Sequence, residues 1–498
     1  MRRALALAVS LLPLLALPAS AQEPSMTSIQ TALLALPGSL SNSWGDYDND
    51  GDLDLAVSLK SGEIRLYRND EGVLVSVGAA MGLPTKGGEF RGVSWGDYNG
   101  DGWIDLFAGA TVATNNSALF KNDGGKKFVD VAAEVGLLVP GRSSRQNNWV
   151  DYDNDGDLDL YATDRGKANR LYRNDSGKFV QAFADGPPTV TSSTVGACWL
   201  DYDKDGDLDL FLGNQSGKAD QMLRNDGDKG FVDVAPELGM TSLPRTRAEG
   251  GVGCAVSDFD RDGELDIFVP NYGHNALWKA DGKGGFKNVA QEMGVGVENH
   301  AVGPAWGDYD NDGYPDLAVM SYIGEDTAKS TPKDSLWHNE GGKKFVNVLA
   351  DNSPLHAGDH GVAFVDYNND GAIDLSVVRG YTEVGSHAVF RNMLPAAKAK
   401  QSLSVMVLDA KGHHTQAGAE VRLYDSAGKI LGANQVNTGG GYNSQHAAPV
   451  HFGVPGQTRV TVEVTFMSKT GRKVHRVPNV SLANYYGKSL IVRRPAGL

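Results

Sequence analysis

Aspartate residues recur at fixed spacing between residues 46 and 374 of this 498-residue chain. The pattern D-[YF]-[DN]-x-D-G-x-x-D occurs seven times, and successive copies start 50 to 58 residues apart. Short carboxylates at alternate positions of one tight turn can converge on a single cation. Ca²⁺ takes six to eight oxygen ligands at about 2.3–2.6 Å in a flexible shell. The motif therefore predicts seven calcium-binding loops.

Each loop has five predicted ligand positions. Positions 1, 3, 5 and 9 supply side-chain oxygens, position 7 supplies its backbone carbonyl, and the glycine at position 6 permits the sharp turn. In loop order the predicted ligands are Asp46, Asp48, Asp50, Asp52 and Asp54; Asp97, Asn99, Asp101, Trp103 and Asp105; Asp151, Asp153, Asp155, Asp157 and Asp159; Asp201, Asp203, Asp205, Asp207 and Asp209; Asp258, Asp260, Asp262, Glu264 and Asp266; Asp308, Asp310, Asp312, Tyr314 and Asp316; Asp366, Asn368, Asp370, Ala372 and Asp374. Asn99 and Asn368 offer an oxygen without a charge, so we expect the second and seventh loops to bind calcium most weakly.

Two other interpretations of the loops remain open at this point. Solvated Asp-Gly turns are common in proteins, although seven complete copies disfavour that explanation. A helix–loop–helix calcium site would need a bidentate Glu at position 12. Here that position is apolar in every copy: Val57, Ala108, Ala162, Leu212, Val269, Val319 and Val377. Apolar residues there favour a β-strand, so we expect each loop to join two strands of a hairpin.

The sequence between the loops repeats as well. An apolar stretch such as 92–96 enters each loop, a strand-like stretch such as 104–108 follows it, and a second signature such as LYRND at 66–70 comes next. A fourth strand-like stretch such as 128–131 ends the copy. Four short strands in about 50 residues, repeated seven times, predict an all-β protein whose main domain is a seven-bladed β-propeller.

Two details favour closure of the repeats into a ring. The seventh copy lacks a fourth strand, which the segment around residues 26–36 could supply, and a shared blade would remove open sheet edges. A tryptophan also lies two residues before five of the loops: Trp44, Trp95, Trp149, Trp199 and Trp306. We expect these rings to pack between blades; an aromatic platform for sugars is the alternative.

The remaining segments define the predicted domain boundaries. Residues 1–21 combine a charged start, an apolar run and a small-residue ending at Ala21, which is typical of a secretory signal peptide; the apolar run is short for a membrane anchor. We assign 22–394 to the propeller, 395–401 to a linker and 402–498 to a small β domain. Strands are expected at 403–408, 419–424, 460–466 and 490–492, and the glycines at 439–441 predict a turn or a close backbone approach.

Charge and cysteine content restrict the function. The formal net charge is −15, and 26 carboxylates occupy positions 1, 3, 5 and 9 of the loops. Nucleic acids and anionic membranes require a basic face, so this composition argues against both as partners. Cys198 and Cys254 precede their loops by three and four residues. That offset places them on opposite sides of equivalent strands, which argues against a disulfide without excluding one.

The loops and the C-terminal sequence resemble two known families. The seven D-x-[DN]-x-D-G-x-x-D loops are similar to the FG-GAP/VCBS repeats, the calcium-loop repeats of the integrin α-subunit propeller. The FG and GAP sequences that name this family do not occur here in their usual form, so the resemblance depends on the aspartate loops. Residues 418–423, 441–445 and 451–453 look like the ASPIC/UnbV domain. The resemblance implies a secreted calcium-binding propeller with an adhesive or other interaction role and implies no known reaction.

Two classes of function follow. The first is a non-catalytic interaction module that binds an extracellular protein or glycan on the face opposite the calcium loops. The segments before each inner strand, which should lie at that channel mouth, carry Arg91, Arg142, Arg145, Arg245, Arg247, His300, His356 and His360. They could hold an anionic group, or they could be ordinary solvated charges. The second class is a calcium-dependent polysaccharide lyase, which would need a Brønsted base near a cation-neutralised carboxylate. The chain has no HExxH zinc motif.

Overall fold

The computed structural model describes residues 22–35, 37–111, 115–137, 143–189, 191–241, 245–322, 334–356, 358, 360–379 and 387–497. The predicted signal peptide and Arg142 lie outside these residues. Within them, no helix has the length and apolar character needed to cross a membrane. The described helices are Thr31–Leu34, Ala132–Val135, Ala290–Met293 and Ala396–Ala399, with 3₁₀ turns at Gly227–Lys229 and Leu482–Asn484.

Seven antiparallel sheets, here called sheets 1 to 7, follow one another along the described part of the repeats. Sheets 1 to 4 are Ser39–Gly45, Asp54–Leu59, Ile64–Asp70 and Val73–Ser76; Phe90–Gly96, Asp105–Ala110, Ala118–Asn122 and Phe128–Asp130; Ser144–Val150, Asp159–Asp164, Arg170–Asn174 and Phe179–Gln181; Thr194–Leu200, Asp209–Asn214, Gln221–Asn225 and Phe231–Asp233. Sheets 5 to 7 are Ala255–Ser257, Asp266–Val269, Ala276–Ala280 and Phe286–Asn288; Ala301–Gly307, Asp316–Ser321, Ser335–Asn339 and Phe345–Asn347; Val362–Val365, Asp374–Val378, His387–Asn392 and Met26–Ser28. Every aspartate loop joins the first strand of a sheet to the second, as predicted.

The N-terminal strand completes the last sheet. Met26–Ser28 pairs with His387–Asn392, with Met26 opposite Asn392. The prediction that the N-terminal segment supplies the fourth strand of the seventh repeat is therefore confirmed. The first strands of consecutive sheets are in contact, and those of sheets 7 and 1 are in contact as well. The architecture is all-β and propeller-like.

Tryptophan side chains fill the space between sheets. Trp95 and Trp149 are fully buried, and each indole N–H donates to a backbone carbonyl of the preceding sheet: Trp95 to Ser43 at 3.2 Å and Trp149 to Ser94 at 3.4 Å. Gly96 must lack a side chain here, because a Cβ would lie 2.6 Å from the Trp149 ring. The packing role predicted for these tryptophans is confirmed.

In six of the seven sheets, an asparagine in the third strand donates a hydrogen bond to the preceding sheet. In sheet 2, the Asn122 amide donates to Tyr47 O at 2.8 Å and to Ile104 O at 3.1 Å. Both acceptors are backbone carbonyls next to aspartate loops, so the asparagine connects two loops. The same contact to the preceding sheet is made by Asn69, Asn174, Asn225, Asn339 and Asn392. Sheet 5 has Ala280 at this position.

The inference drawn from the cysteine offset was wrong. Cys198 and Cys254 form a disulfide between sheets 4 and 5. Successive sheets pack face to face, so residues on opposite sides of equivalent strands point toward each other across the contact. Cys254 also precedes the short first strand Ala255–Ser257, where strict alternation of side chains has not begun.

The C-terminal residues form two sheets around one core. The first sheet contains Val450–Gly453, Ser402–Leu408 and Leu490–Arg493, and the second contains Ile430–Gln435, Glu420–Tyr424, Arg459–Phe466 and Lys473–Ser481. The four strands predicted from the sequence are confirmed, and every predicted end agrees within one residue. Residues 395–401, predicted as a linker, contain the helix Ala396–Ala399, in which Ala399 is buried.

A segment of the C-terminal domain, residues 435–447, runs among the first strands of the repeat sheets and is called the channel segment here. Ser444–Gln445 pairs in parallel with Val93 and Ser94, as a fifth strand of sheet 2. The Gln445 amide accepts from Trp149 N at 2.6 Å and donates to Trp149 O at 2.9 Å. Gly441 passes so close to Val362 that a Cβ would lie 2.5 Å from the Val362 carbonyl oxygen. The close approach predicted for these glycines is confirmed.

Candidate metal centres and the channel mouth

The first aspartate of each loop folds the turn. Asp46 accepts hydrogen bonds from the backbone N–H of Asp50 at 3.1 Å and of Gly51 at 3.0 Å. The backbone at Asn49 and Gly51 is left-handed, with φ of 57° and 100°, which explains the glycine and the frequent asparagine at these positions. The chain thereby curls around the carboxylates at positions 1, 3 and 5.

The ninth residue is buried and has a structural role that the motif did not reveal. In sheet 1, Asp54 Oδ2 accepts from Tyr47 N at 3.0 Å, and Asp54 Oδ1 accepts from Asn69 N at 2.8 Å. All seven residues of this position are fully buried. Each carboxylate therefore fixes the loop to the third strand of its own sheet while lying beneath the turn.

Carboxylate oxygens converge in at least five loops. Metal-ligand atoms lie within 4.8 Å of one another in these described groups: Asp46, Asp48 and Asp50; Asp151, Asp153 and Asp159; Asp201, Asp203 and Asp209; Asp258, Asp260 and Asp262; Asp310, Asp316 and His338. All five loops have Asp rather than Asn at position 3. Asp48 Oδ1, Asp201 Oδ1 and Asp260 Oδ1 are buried without a hydrogen-bond partner among the described residues. Orphaned buried oxygens in a cluster of like charges fit the ligand set of a hard divalent cation.

The electrostatics of the loops agree with that fit. Burial, reinforced by Asp50 and Asp48, raises the pKa of Asp46 to about 6. Burial and neighbouring carboxylates raise the pKa of Asp54 to about 9 and that of Asp151 to about 7. Desolvation and like charge disfavour the ionised form, so these carboxylates are unfavourable to one another in the absence of a cation.

Two cationic or metal-binding side chains near the loops were not singled out from the sequence. Lys279 Nζ donates to Asp262 Oδ2 at 2.5 Å and also contacts Asp260, so an ammonium group lies against the fifth loop. His338 Nδ1 lies 3.1 Å from Asp316 Oδ1 in the sixth loop. Both follow the aromatic residue of the second repeat signature, and this shared position is the sequence signal that could have identified them.

Neighbouring loops contact each other through position 4. Asn49 Nδ2 donates to Gly102 O at 3.1 Å, from the first loop to the second. Asn154 Nδ2 donates to Asp207 Oδ1 at 2.7 Å, from the third loop to the fourth. The side chain at position 7 is therefore engaged in loop-to-loop contact, while its carbonyl oxygen stays the predicted ligand.

The C-terminal domain packs on the same face as the loops. Ala433 N donates to Asp258 Oδ2 at 3.1 Å, and the Arg472 guanidinium lies 3.5 Å from Asp201 Oδ2. The first aspartates of the fourth and fifth loops are thus covered by the C-terminal domain, and solvent reaches them less freely than the sequence alone implied.

A cavity of about 100 Å³ lies at the ends of the first strands that face away from the aspartate loops. Three residues of the predicted ligand face line it: Arg91 and Arg145, in the first strands of sheets 2 and 3, and His360, before the first strand of sheet 7. The channel segment contributes Tyr442, whose ring centroid lies 4.8 Å from that of His360. The other lining residues are Arg165, Val195, Gln215, Tyr272 and Tyr322.

The other predicted ligand-face residues lie outside the cavity lining. His300 stacks on Tyr272, a lining residue, with ring centroids 5.1 Å apart, and does not itself line the cavity. Arg247 is exposed, and Arg245 forms an ion pair with Asp220 at 2.6 Å. His356 Nε2 lies 3.1 Å from Ala350 O. The structure therefore brings together Arg91, Arg145 and His360 and leaves Arg247 apart.

Comparison with known proteins identifies both parts of the chain. The FG-GAP-like repeat model matches residues 46–108, 97–162, 151–212, 201–269 and 258–319, and the ASPIC and UnbV model matches residues 410–484. Cartilage acidic protein 1 of Mus musculus is 26% identical over 470 residues, which cover 84% of this chain and 69% of the relative. The Homo sapiens protein is 25% identical over 468 residues, covering 84% and 68%.

Solved structures give weaker likenesses. An Agrocybe aegerita lectin, described by its recognition of non-reducing terminal N-acetylglucosamine, aligns with 73% of this chain and 92% of its own at 15% identity and a TM-score of 0.39. The exotype rhamnogalacturonan lyase YesX aligns with 91% and 73% at 13% identity and a TM-score of 0.38. Likenesses of this strength say nothing about function. The sequence matches decide the family: this chain belongs to the FG-GAP-like repeat proteins and carries an ASPIC and UnbV domain at its C-terminal side.

Proposed function

We propose that this protein is a secreted calcium-binding repeat protein that acts as a non-catalytic interaction or adhesion module. Its scaffold is a closed seven-bladed propeller that holds up to seven Ca²⁺ ions, and its partner is an extracellular protein or glycan. The observation that carries the calcium assignment is the convergence of carboxylate oxygens within 4.8 Å in loop after loop. The contact between the first strands of sheets 7 and 1 supports closure.

Calcium suits these loops for chemical reasons. The five predicted donors of every loop are oxygens, most of them carboxylates, and the turn offers them in a shell without rigid octahedral geometry, which is the environment Ca²⁺ prefers over Mg²⁺. When bound, the ion neutralises carboxylates that otherwise repel one another. The residues of the chain then supply the turn, the buried anchor at position 9 and the contacts between loops.

Secretion is supported by the leader-like N-terminal sequence and by the disulfide between Cys198 and Cys254. Disulfides persist in oxidising compartments outside the cytosol. Millimolar calcium in such compartments matches the affinities usual for extracellular calcium modules.

Metal analysis tests the calcium assignment. Protein at dialysis equilibrium with millimolar Ca²⁺ should hold several calcium ions per chain in excess of the dialysate. The double variant Asp46→Asn/Asp151→Asn should bind about two fewer, because each change removes the negative charge of a ligand that also holds the turn. Asp123→Asn, an exposed turn residue outside the loops, is the matched control and should change nothing. Wild-type protein without bound metal would refute the assignment.

Thermal melting gives an independent test. Each site that binds only the folded state adds RT ln(1 + [L]/Kd), about 1.4 kcal/mol at tenfold saturation. Removal of calcium with EDTA should therefore lower the melting temperature clearly, and added calcium should restore it. An unchanged melt would mean that the loops do not couple ion binding to folding.

A carbohydrate lyase is the second candidate function, and one observation favours it. Tyr442 and His360 are in ring contact within a cavity that also contains Arg91 and Arg145. Brønsted groups beside arginines could remove a proton next to a neutralised carboxylate. Incubation with uronate polysaccharides and measurement of ultraviolet absorbance from unsaturated sugar ends would separate this candidate from pure binding.

A further inference from the structure

Charge is distributed unevenly around the cavity at the channel mouth. The chain as a whole carries a formal charge of −15, yet the described lining residues include three arginines, Arg91, Arg145 and Arg165, and no aspartate or glutamate. Arg91 has a counter-charge in Glu89, which lies 2.5 Å away and outside the lining. The cavity therefore has an excess of positive charge in a protein that is otherwise acidic.

Arg145 is a buried cation that has no hydrogen bond to a carboxylate among the described residues. The side chain is only 5% exposed. Within the described residues, its hydrogen bonds go to the backbone carbonyls of Ser144 at 2.8 Å and Ser143 at 3.3 Å and not to a carboxylate. Burial lowers the pKa of Arg145 to about 10. A buried cation without an anionic partner is costly, so an anion entering the cavity would be favoured.

The channel segment completes the cavity from the other domain. Tyr442 is 5% exposed, and it lines the cavity beside Arg91 and Arg145, whose charges act on its phenol. A phenol O–H can donate a hydrogen bond to a ligand in the cavity. Burial by itself would raise the pKa of Tyr442, but Arg91 and Arg145 outweigh it and hold the pKa below its usual value, which strengthens the O–H as a donor.

The shape and chemistry of the lining point to a class of ligand. Arginines bind planar carboxylates in a two-pronged geometry. Rings from Tyr272, Tyr322, His360 and Tyr442 surround the arginines, and mixed aromatic and polar linings are typical of small-ligand sites. Arg165 is exposed and the first two of these tyrosines are half-buried, so the cavity is reached from solvent on that side. A volume of about 100 Å³ accommodates one acidic group with part of the ring that bears it.

We propose that the three arginines and Tyr442 form a binding site for the carboxylate of an acidic sugar residue, and that the C-terminal domain passes through the channel to complete it. This inference deepens the interaction role proposed above and rests on it. It also gives the C-terminal domain a role in ligand binding, because Tyr442 lies on its channel segment while all three arginines come from the repeat region.

Calorimetric titration of the calcium-loaded full chain tests the site. Sodium D-glucuronate should bind saturably and D-glucose should not. Arg165→Gln and Tyr442→Phe should each weaken glucuronate binding about tenfold, as expected for loss of one hydrogen bond to a charged group. Arg247→Gln changes an exposed arginine near the same face that does not line the cavity, and it should leave the affinity unchanged. Arg165 is exposed and Tyr442→Phe keeps the ring, so both variants should fold; melting temperatures check this.

Several outcomes would overturn the proposal. Equal affinity in wild type and both cavity variants would place glucuronate elsewhere, and absent binding or equal binding of glucose would remove the carboxylate as the recognised group. Stronger binding of inorganic sulfate or phosphate than of glucuronate would refute an acidic-sugar site. If the protein binds calcium but does not bind glucuronate, only this inference is refuted. If it binds glucuronate but holds no calcium, only the calcium assignment is refuted.

Discussion

Asn369 in the seventh aspartate loop donates a hydrogen bond to Asp52 in the first loop at 2.9 Å, across 317 residues of chain. The same position-4 asparagine links the first loop to the second and the third to the fourth. Residues at the two ends of the repeat region are therefore joined by the same contact that joins sequence neighbours. We expect the conformation of each connected loop to influence that of its neighbour.

Loss of an inter-sheet asparagine should destabilise the fold. Asn122→Ala removes the donor to Tyr47 O and Ile104 O, both in a buried region. An unsatisfied buried acceptor costs about 1–3 kcal/mol, so we expect a loss of this size in urea unfolding. Asn115→Ala, which removes a single contact to Gly88 O in a half-buried loop, should cost less. Equal losses in the two variants would contradict the role given to Asn122.

Restoring a charge at position 3 should strengthen the second loop. Asn99 Nδ2 is buried without a described hydrogen-bond partner, and its oxygen is the only useful donor to a cation. Asn99→Asp adds a charged ligand, which should tighten calcium binding at this site on the order of tenfold. Equilibrium dialysis at limiting calcium would measure the extra bound ion. Asp48→Asn, the reverse change in the first loop, should reduce binding; the same direction in both variants would refute the argument.

Lys279 should compete with calcium in the fifth loop. Its ammonium group contacts Asp260 and Asp262, and these carboxylate hydrogen bonds raise the lysine pKa in spite of burial. Lys279→Met should lower the melting temperature in EDTA, because the two carboxylates lose their partner, and should enlarge the rise on adding calcium. Lys287→Met, at an exposed ion pair in the same sheet, should change neither. A reduced calcium response in Lys279→Met would show that the lysine supports the site.

The disulfide should contribute strongly to stability. It closes a loop between residues 56 apart in sequence, and the chain-entropy model assigns such a loop about 4 kcal/mol, with measured values often nearer 2–4 kcal/mol. Urea unfolding of the wild type with and without reductant should show this loss. The variant Cys198→Ala/Cys254→Ala should be destabilised to a similar degree and should not respond to reductant. If reductant did not change the urea unfolding of the wild type, the result would contradict a disulfide between Cys198 and Cys254.

Buried histidines should make the calcium-loaded protein sensitive to acid. Burial lowers the pKa of His446 and of His451 to about 4 and that of His387 to about 3. The folded pKa values lie below the usual 6.5, so between about pH 6.5 and pH 4 the unfolded chain binds protons that the folded chain does not. Stability is therefore complete above pH 6.5 and is lost as the pH falls, by up to about 1.4 kcal/mol per pH unit for each histidine.

His446 provides the control for this pH dependence. Its Nδ1 accepts from Trp44 N at 3.1 Å, where the channel segment meets sheet 1. His446→Gln can keep an acceptor there but cannot titrate. Melting temperatures in saturating calcium from pH 7.5 to pH 5 should fall less steeply for the variant than for the wild type. Identical slopes would mean that His446 does not contribute.

Local chemistry made the repeat units predictable. An aspartate loop is decided by residues within nine positions of one another, so Asp46 through Asp54 indicate a turn, a ligand set and the strands on either side without reference to the rest of the chain. The same holds for Trp95, whose fixed place before a loop implied packing between sheets. Periodicity then gave the number of repeats, because each unit must bury its faces against copies of itself.

Contacts between distant segments could not be predicted from local sequence spacing. The pairing of Cys198 with Cys254 depends on which faces of neighbouring sheets meet, and the meeting of Tyr442 with Arg91 and Arg145 depends on a domain that enters the channel from the far end. Lys279 likewise reaches the fifth loop only because its strand lies beside it. The sequence by itself determined the local oxygen clusters and the repeated strands, since short-range spacing suffices for both. The tertiary structure alone decided which arginines share a cavity and what completes it, because packing free energy, rather than sequence spacing, brings those side chains together.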